Sequence, residues 1–149
     1  MSDGLESISR PLKVNYPSPT DLIGLKILVI DDSKHIRSFV EALLKREKIE
    51  VTAVASGKEA VKLNETNDYD LIFIDINMPD LDGFETLSLI RSKDHSTPAI
   101  AFSAGDSDHI IDHSVNFSDF LPKPIEQEQL LDIVRKHART SNIKSISKQ

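Results

Sequence analysis

The chain has 149 residues, a length at which one domain buries roughly 68–70% of the surface its unfolded chain exposes, so a core needs no covalent staples. With 39% hydrophobic and 28% charged residues the composition is that of a globular domain, and with no Cys it excludes disulfides, thiolate nucleophiles and cysteine-ligated metals. The net charge of −6 argues against a general nucleic-acid or anionic-membrane surface, and the start, MSDGLESISR, lacks the apolar core of a signal peptide.

Residues 1–24 hold Pro11, Pro17 and Pro19 without a hydrophobic period and read as a tail or linker. Ile27 to Ile30 is the first of three four-residue apolar runs, the others being Leu71 to Ile74 and Ala99 to Phe102. Runs apolar on both faces suit buried parallel strands and are far too short to span a bilayer, so a cytoplasmic protein with no membrane insertion is expected. Ser33 to Glu47 follows as a helix, N-capped by Ser33 and carrying Ile36, Phe39, Val40, Leu43 and Leu44 at helical spacing. Val51 to Ala55 reads as a strand, and the helix after it opens on the capping box Ser56…Glu59 and presents Ala60, Val61 and Leu63. After the second run, Phe84, Leu87 and Ile90 mark a third helix; after the third, Ile110 and Ile111 mark a short fourth. Asp119 to Leu121 is a short strand, and Ile125, Leu130, Ile133 and Val134 mark a last helix running to about Arg139. Residues 140–149, polar and basic, form a second tail.

Five strands alternating with five helices predict a doubly wound α/β domain over 25–139, and such sheets bind ligands at the carboxyl ends of their strands. Standing there are Asp31 and Asp32 after the first run, Asp75 after the second, Ser103 after the third, and Lys123 with Pro124 after the short strand. Any one of these has a bland reading as a turn former, a cap or a solvated lysine. Together they gather three carboxylates at one sheet edge, where each close pair repels by about 4 kcal/mol at 4 Å and an effective dielectric of 20. A divalent cation relieves that repulsion, and an all-oxygen ligand set favours a hard ion such as Mg²⁺.

The stretches ILVIDDS, LIFIDINMPDLDGFE, AFSA and FLPKPI, in this order, resemble the receiver (response-regulator) domain of two-component signalling. DLIGLKILVIDD and DINMPDLDGFE are similar to receivers attached to hybrid sensor kinases. The resemblance implies a flavodoxin-like, five-stranded parallel sheet in the order 2-1-3-4-5 with helices on both faces. It implies that Asp75 is the phosphoacceptor, taking a phosphoryl group from a histidine kinase or a histidine phosphotransfer protein. Asp31, Asp32, Asp75 and the backbone carbonyl of Asn77 would hold Mg²⁺, with Asp31 acting mainly through a metal-bound water. Lys123 would pair with Asp75 at rest and with the phosphoryl group afterwards, and Ser103 would be the switch hydroxyl. Phe120 matches the switch aromatic without the Tyr hydroxyl often found there. Pro79, Gly83 and Pro124 would shape the loops, Pro79 by stopping the strand and Gly83 by permitting positive φ; Met78 and Asp82 belong to the same loop.

The protein would then be a signalling domain and no general enzyme, catalysing only its own phosphorylation and dephosphorylation. Its output would be a downstream protein, since no DNA-binding segment is appended. The stretch from Ser103 to Lys123 is shorter than the family's, and Asn116 stands where the pattern has a Gly, so the fourth helix is expected to be short. His109 and His113 lack a third ligand in register for a metal. His35 and His95 read as surface residues, while Lys136, His137 and Arg139 complement a helix C-terminus. Three other readings compete. A Mg²⁺-dependent phosphohydrolase with an aspartyl nucleophile needs a second acid two positions on, where Ser33 and Lys34 stand. A flavodoxin-like cofactor binder needs a phosphate loop where DDSKH stands. A phosphorylation-independent docking module is the third.

Overall fold

The computed structural model describes residues 22–104 and 117–139. Five strands, β1 (Lys26–Ile30), β2 (Glu50–Val54), β3 (Leu71–Asp75), β4 (Ala99–Ser103) and β5 (Asp119–Pro122), form one sheet in the order β2-β1-β3-β4-β5. Every pairing is parallel. The three apolar runs occupy the middle: all five residues of β3 and of β4 are buried, whereas in edge strand β2 only Val54 is.

Side-chain alternation splits the strands between two cores. Ile27, Val29, Leu71, Phe73, Ile100 and Phe102 face helices α1 (Lys34–Arg46) and α4 (Gln127–His137), which contribute Val40, Leu43, Leu44, Leu130 and Val134. Leu28, Ile30, Ile72 and Ile74 face α2 (Gly57–Thr66) and α3 (Gly83–Arg91), which contribute Ala60, Leu87 and Ile90. Helices therefore cover both faces, as expected of a doubly wound sheet. In the first core the Phe73 and Phe102 rings stack 5.2 Å apart; truncating a buried Phe to Ala costs about 3–5 kcal/mol.

Local signals place the helix starts. Ser33 caps α1 by accepting from the Ile36 N–H, and Ser56 caps α2 by accepting from that of Glu59. The Ser56 box is one-sided, for its hydroxyl lies 3.4 Å from Glu59 Oε1. The reciprocal box is at α3, where Asp82 accepts from the Glu85 N–H at 2.8 Å and Glu85 accepts from the Asp82 N–H at 2.9 Å.

Four expectations change. Packing begins before Leu25, since Leu22 is buried in the first core. Phe39, expected among the core residues of the first helix, is 44% exposed because the centre of the buried stripe runs through Val40, Leu43 and Leu44. The last helix ends at His137, and its basic residues make tertiary contacts beyond any effect on the helix dipole. His137 Nε2 lies 2.9 Å from Asp119 Oδ2. Arg139 donates to the Tyr69 carbonyl at 2.6 Å and to Thr97 Oγ1 at 3.0 Å, tying the residues after α4 to the segments that lead into β3 and β4. The expected fourth helix, His109, His113, Asn116 and the two tails as far as residue 21 and from 140 lie outside the described residues. Among the described residues no helix is long and apolar enough to cross a membrane.

Candidate functional site

The register explains why residues far apart in sequence meet. Ile30 pairs with Ile74, Asp75 with Phe102 and Ser103 with Pro122, so these strands end at one level. Asp31 and Asp32 leave β1 there, Asp75 closes β3, Ser103 closes β4, and Lys123 leaves β5. One carboxylate oxygen from each of Asp31, Asp32 and Asp75 lies within 4.8 Å of the others.

Asp31 is fully buried and Asp75 only 2% exposed, while Asp32 is exposed to solvent. Asp31 Oδ1 accepts from the Ser33 N–H at 2.8 Å, and its backbone carbonyl accepts from Arg37 Nη1 at 2.9 Å. Asp75 Oδ1 accepts from the Asn77 N–H at 3.2 Å. Lys123 Nζ sits between the two buried acids, 3.1 Å from Asp31 Oδ2 and 3.2 Å from Asp75 Oδ1. Burial, and then the Asp31 charge, raise the Asp75 carboxyl from its ordinary 3.8 to about 6 against the opposing pull of Lys123. For Lys123, burial works to lower the ammonium, but the charges of Asp31 and Asp75 outweigh it and hold the group above its ordinary value.

The donor set fits a hard divalent cation. Asp31 Oδ2 is buried and accepts no hydrogen bond among the described residues, its company being the Lys123 ammonium. Three carboxylates against one bridging ammonium leave a surplus of negative charge among these four side chains. Carboxylate oxygens alone, with one acid open to water, are ligands of the kind Mg²⁺ takes. Ser33, two residues after Asp31, is committed as the cap of α1.

The loop after Asp75 corrects one expectation. Positive φ falls on Asp80 (67°), next to Pro79, and Gly83 needs none. Gly83 matters through its missing side chain: a Cβ there would lie 2.7 Å from both the Asp75 carbonyl oxygen and Ile76 Cα. That close approach lets the Gly83 N–H reach the Ile76 carbonyl at 2.9 Å and seats the start of α3 on the end of β3. Met78 does more than shape the backbone, because it is buried in the second core. The Lys123–Pro124 bond is cis.

Ser103 is buried at the end of β4, and its carbonyl accepts from the Lys123 N–H at 2.7 Å. Phe120 is half-buried, its ring 6.0 Å from that of Phe117, which meets Phe84 edge-on at 5.6 Å. Sequence reasoning missed Phe117 and Arg37. The first follows a stretch without a period; the second has only its place one turn into α1, near enough to reach back to the strand end.

The family profile for the response regulator receiver domain matches residues 27–135. Protein PilG of Pseudomonas aeruginosa is 40% identical over 119 residues, which cover 76% of this chain and 87% of PilG. Hybrid signal transduction histidine kinase L of Dictyostelium discoideum is 33% identical over 137 residues, 85% of this chain but only 8% of that protein. The receiver domain of sensor histidine kinase PA1611 from Pseudomonas aeruginosa, solved with a magnesium ion coordinated in its active site cleft, superposes with a TM-score of 0.72 at 30% identity and covers 76% of this chain and 97% of that one. A parallel sheet in the order 2-1-3-4-5, an acidic cluster at its carboxyl edge bridged by a lysine, and this match over most of its length place the chain in the response regulator receiver family, whose members are phosphoacceptors in two-component signalling.

Proposed function

We propose that Asp75 is the residue phosphorylated, that the donor is the phosphohistidine of a histidine kinase or histidine phosphotransfer protein, and that the transfer switches a protein-binding surface. The observation that carries this reading is the placement of Asp75: a buried carboxylate at a strand end, close to two further acids and 3.2 Å from an ammonium. The unit doing this is 25–139 with Leu22 packed onto it, flanked by tails.

The chemistry asks little of the protein beyond position and charge. A carboxylate oxygen of Asp75 forms a bond to phosphorus as the bond from phosphorus to the donor imidazole nitrogen breaks, and that nitrogen keeps the electron pair. Asp31, Asp32, Asp75 and the Asn77 carbonyl would hold Mg²⁺, which when bound supplies the positive charge that lets an anionic phosphoryl group approach three carboxylates. Lys123, held between Asp31 and Asp75 at rest, exchanges one carboxylate partner for a phosphoryl oxygen. The Ser103 hydroxyl donates to another. Phe120 follows the Ser103 loop by changing its burial, and since its ring carries no hydroxyl its inward state rests on packing alone. Phosphorylation thus shifts the populations of two arrangements. The surface that reads them out includes the groove of about 360 Å³ between β5 and α4, lined by Phe120, Leu121, Ile133 and Lys136 among others. The only reactions the protein catalyses are its own phosphorylation and dephosphorylation.

Incubation with acetyl phosphate and Mg²⁺, followed by intact-mass measurement, tests the assignment. The wild type gains one phosphoryl group, the gain disappears on chelation, and Asp75→Ala gains none. An unchanged gain in Asp75→Ala would remove Asp75 from the role.

A further inference from the structure

Asp32 is the exposed member of the three clustered acids. Among the described residues no hydrogen bond or ion pair holds its carboxylate, yet one of its oxygens lies within 4.8 Å of oxygens of Asp31 and Asp75. The backbone on either side of Asp32 supplies the aim that its own side chain does not. A peptide unit is rigid, and its plane carries the Cα atoms at both ends. The unit that follows Asp32 is held by the Ser33 N–H, which donates to Asp31 Oδ1 at 2.8 Å. The unit that precedes it is held by the Asp31 carbonyl, which accepts from Arg37 Nη1 at 2.9 Å. The Asp31 N–H donates to the Val54 carbonyl at 3.1 Å, tying the start of this turn to β2. With both flanking planes fixed, the direction of the Asp32 Cβ is fixed as well.

Arg37 is suited to that task. It stands one turn into α1, its own N–H donating to the Ser33 carbonyl at 3.0 Å, and its side chain is half-buried. Among the described residues its guanidinium pairs with no carboxylate, although three of them gather at the end of the neighbouring strands. An arginine serving as a counter-charge takes a carboxylate with two parallel bonds. This one is committed to a neutral carbonyl.

We infer that Arg37 is a positioning residue for the cation site: it holds the peptide unit between Asp31 and Asp32 and so aims the Asp32 carboxylate at the place a divalent cation takes. The inference rests on the reading of Asp31, Asp32 and Asp75 as Mg²⁺ ligands. The two roles open to a cation at this place have opposite signs. As a nearby positive charge Arg37 would repel Mg²⁺, and its removal would tighten binding. As a prop its removal weakens binding, because one ligand is left to search for its place; groups that orient metal ligands are worth roughly 10–100-fold in affinity.

Mg²⁺ titration of the unphosphorylated full chain, followed by NMR of its amide and carbonyl resonances, tests the inference. Arg37→Met keeps the aliphatic stem and removes the charge and the donors. Its Mg²⁺ dissociation constant is expected to rise roughly tenfold, and in the metal-free protein the Asp31 carbonyl resonance is expected to move as its hydrogen bond is lost. Arg37→Lys keeps the charge and a donor, and is expected to bring back affinity and carbonyl resonance together. Arg37→Gln, neutral and shorter in reach, gives the same comparison where Arg37→Met does not fold. Binding as tight as the wild type's, or tighter, in the neutral variant would overturn the inference and leave the metal site standing. Affinity regained in Arg37→Lys with the carbonyl still released would overturn it too. A wild type that binds no Mg²⁺ would overturn the metal site and this inference with it.

Discussion

Replacing Asp75 with Asn is expected to make the metal-free domain more stable near neutral pH, although it removes the residue on which function rests. Burial and the Asp31 charge raise the Asp75 carboxyl from 3.8 to about 6. A carboxyl raised on folding costs no stability below about pH 3.8, where folded and unfolded chains are both protonated; the cost grows as the pH rises from there to about 6 and is constant above. At 1.36 kcal/mol per pH unit the distance from 3.8 to about 6 amounts to roughly 3 kcal/mol. Asn keeps an acceptor for the Asn77 N–H, and Lys123 keeps Asp31 at 3.1 Å, so the substitution abolishes the charge and little else. Urea unfolding in chelator across this pH range is the assay. Asp75→Asn should exceed the wild type by roughly 2–3 kcal/mol at neutral pH, with the difference vanishing in acid. Mg²⁺ at 100 times its dissociation constant adds about 2.7 kcal/mol to the wild type, closing most of the gap. A metal-free Asp75→Asn no more stable than the wild type at neutral pH would refute the electrostatic reasoning.

Lys123→Met should act oppositely, leaving Asp31 and Asp75 without a counter-charge. A loss of up to about 3 kcal/mol is expected in chelator, the ammonium being part-exposed, and Mg²⁺ should restore much of it; unfolding curves with and without the metal check both. Gly83→Ala drives a Cβ against backbone at Asp75 and Ile76, so a loss of about 1–3 kcal/mol in denaturant unfolding is expected together with slower phosphorylation by acetyl phosphate. Asp94 accepts from the N–H groups of Ser96 and Thr97 and from Asn64 Nδ2, each at 3.1 Å. Burial would raise its carboxyl, but these bonds prevail and hold it below the ordinary carboxylate value. Its stabilisation is complete above that ordinary value of 3.8 and is lost as pH falls through the lowered one. Asp94→Asn, whose amide faces the donor Asn64, should cost about 1 kcal/mol at neutral pH and progressively less in acid, as seen in thermal melts.

Much of the fold is legible because its central strands are buried on both faces. That burial demands unbroken apolar runs, which Ile27–Ile30, Leu71–Ile74 and Ala99–Phe102 supply and which also locate Asp31, Asp75 and Ser103 just beyond them. Tertiary contacts of polar side chains are less legible. Arg139 reads as a helix-end cation, yet it binds the Tyr69 carbonyl just ahead of β3, and His137 finds Asp119; neither partner has a fixed sequence separation. Gly83 was legible as a required glycine but for the wrong reason, because a close backbone approach and a positive φ leave the same mark in a sequence. Phe39 follows helical spacing and still faces solvent, since periodicity marks a stripe without giving its width.

The central claim is that the phosphoryl group resides on Asp75. Borohydride reduction of the phosphorylated chain, followed by tandem mass spectrometry of its peptides, reads the position directly: the account predicts reduction of the side chain at Asp75 alone, in a Mg²⁺-dependent manner. Reduction at Asp31 or Asp32, or none anywhere after full exposure to phosphodonor and metal, would contradict it.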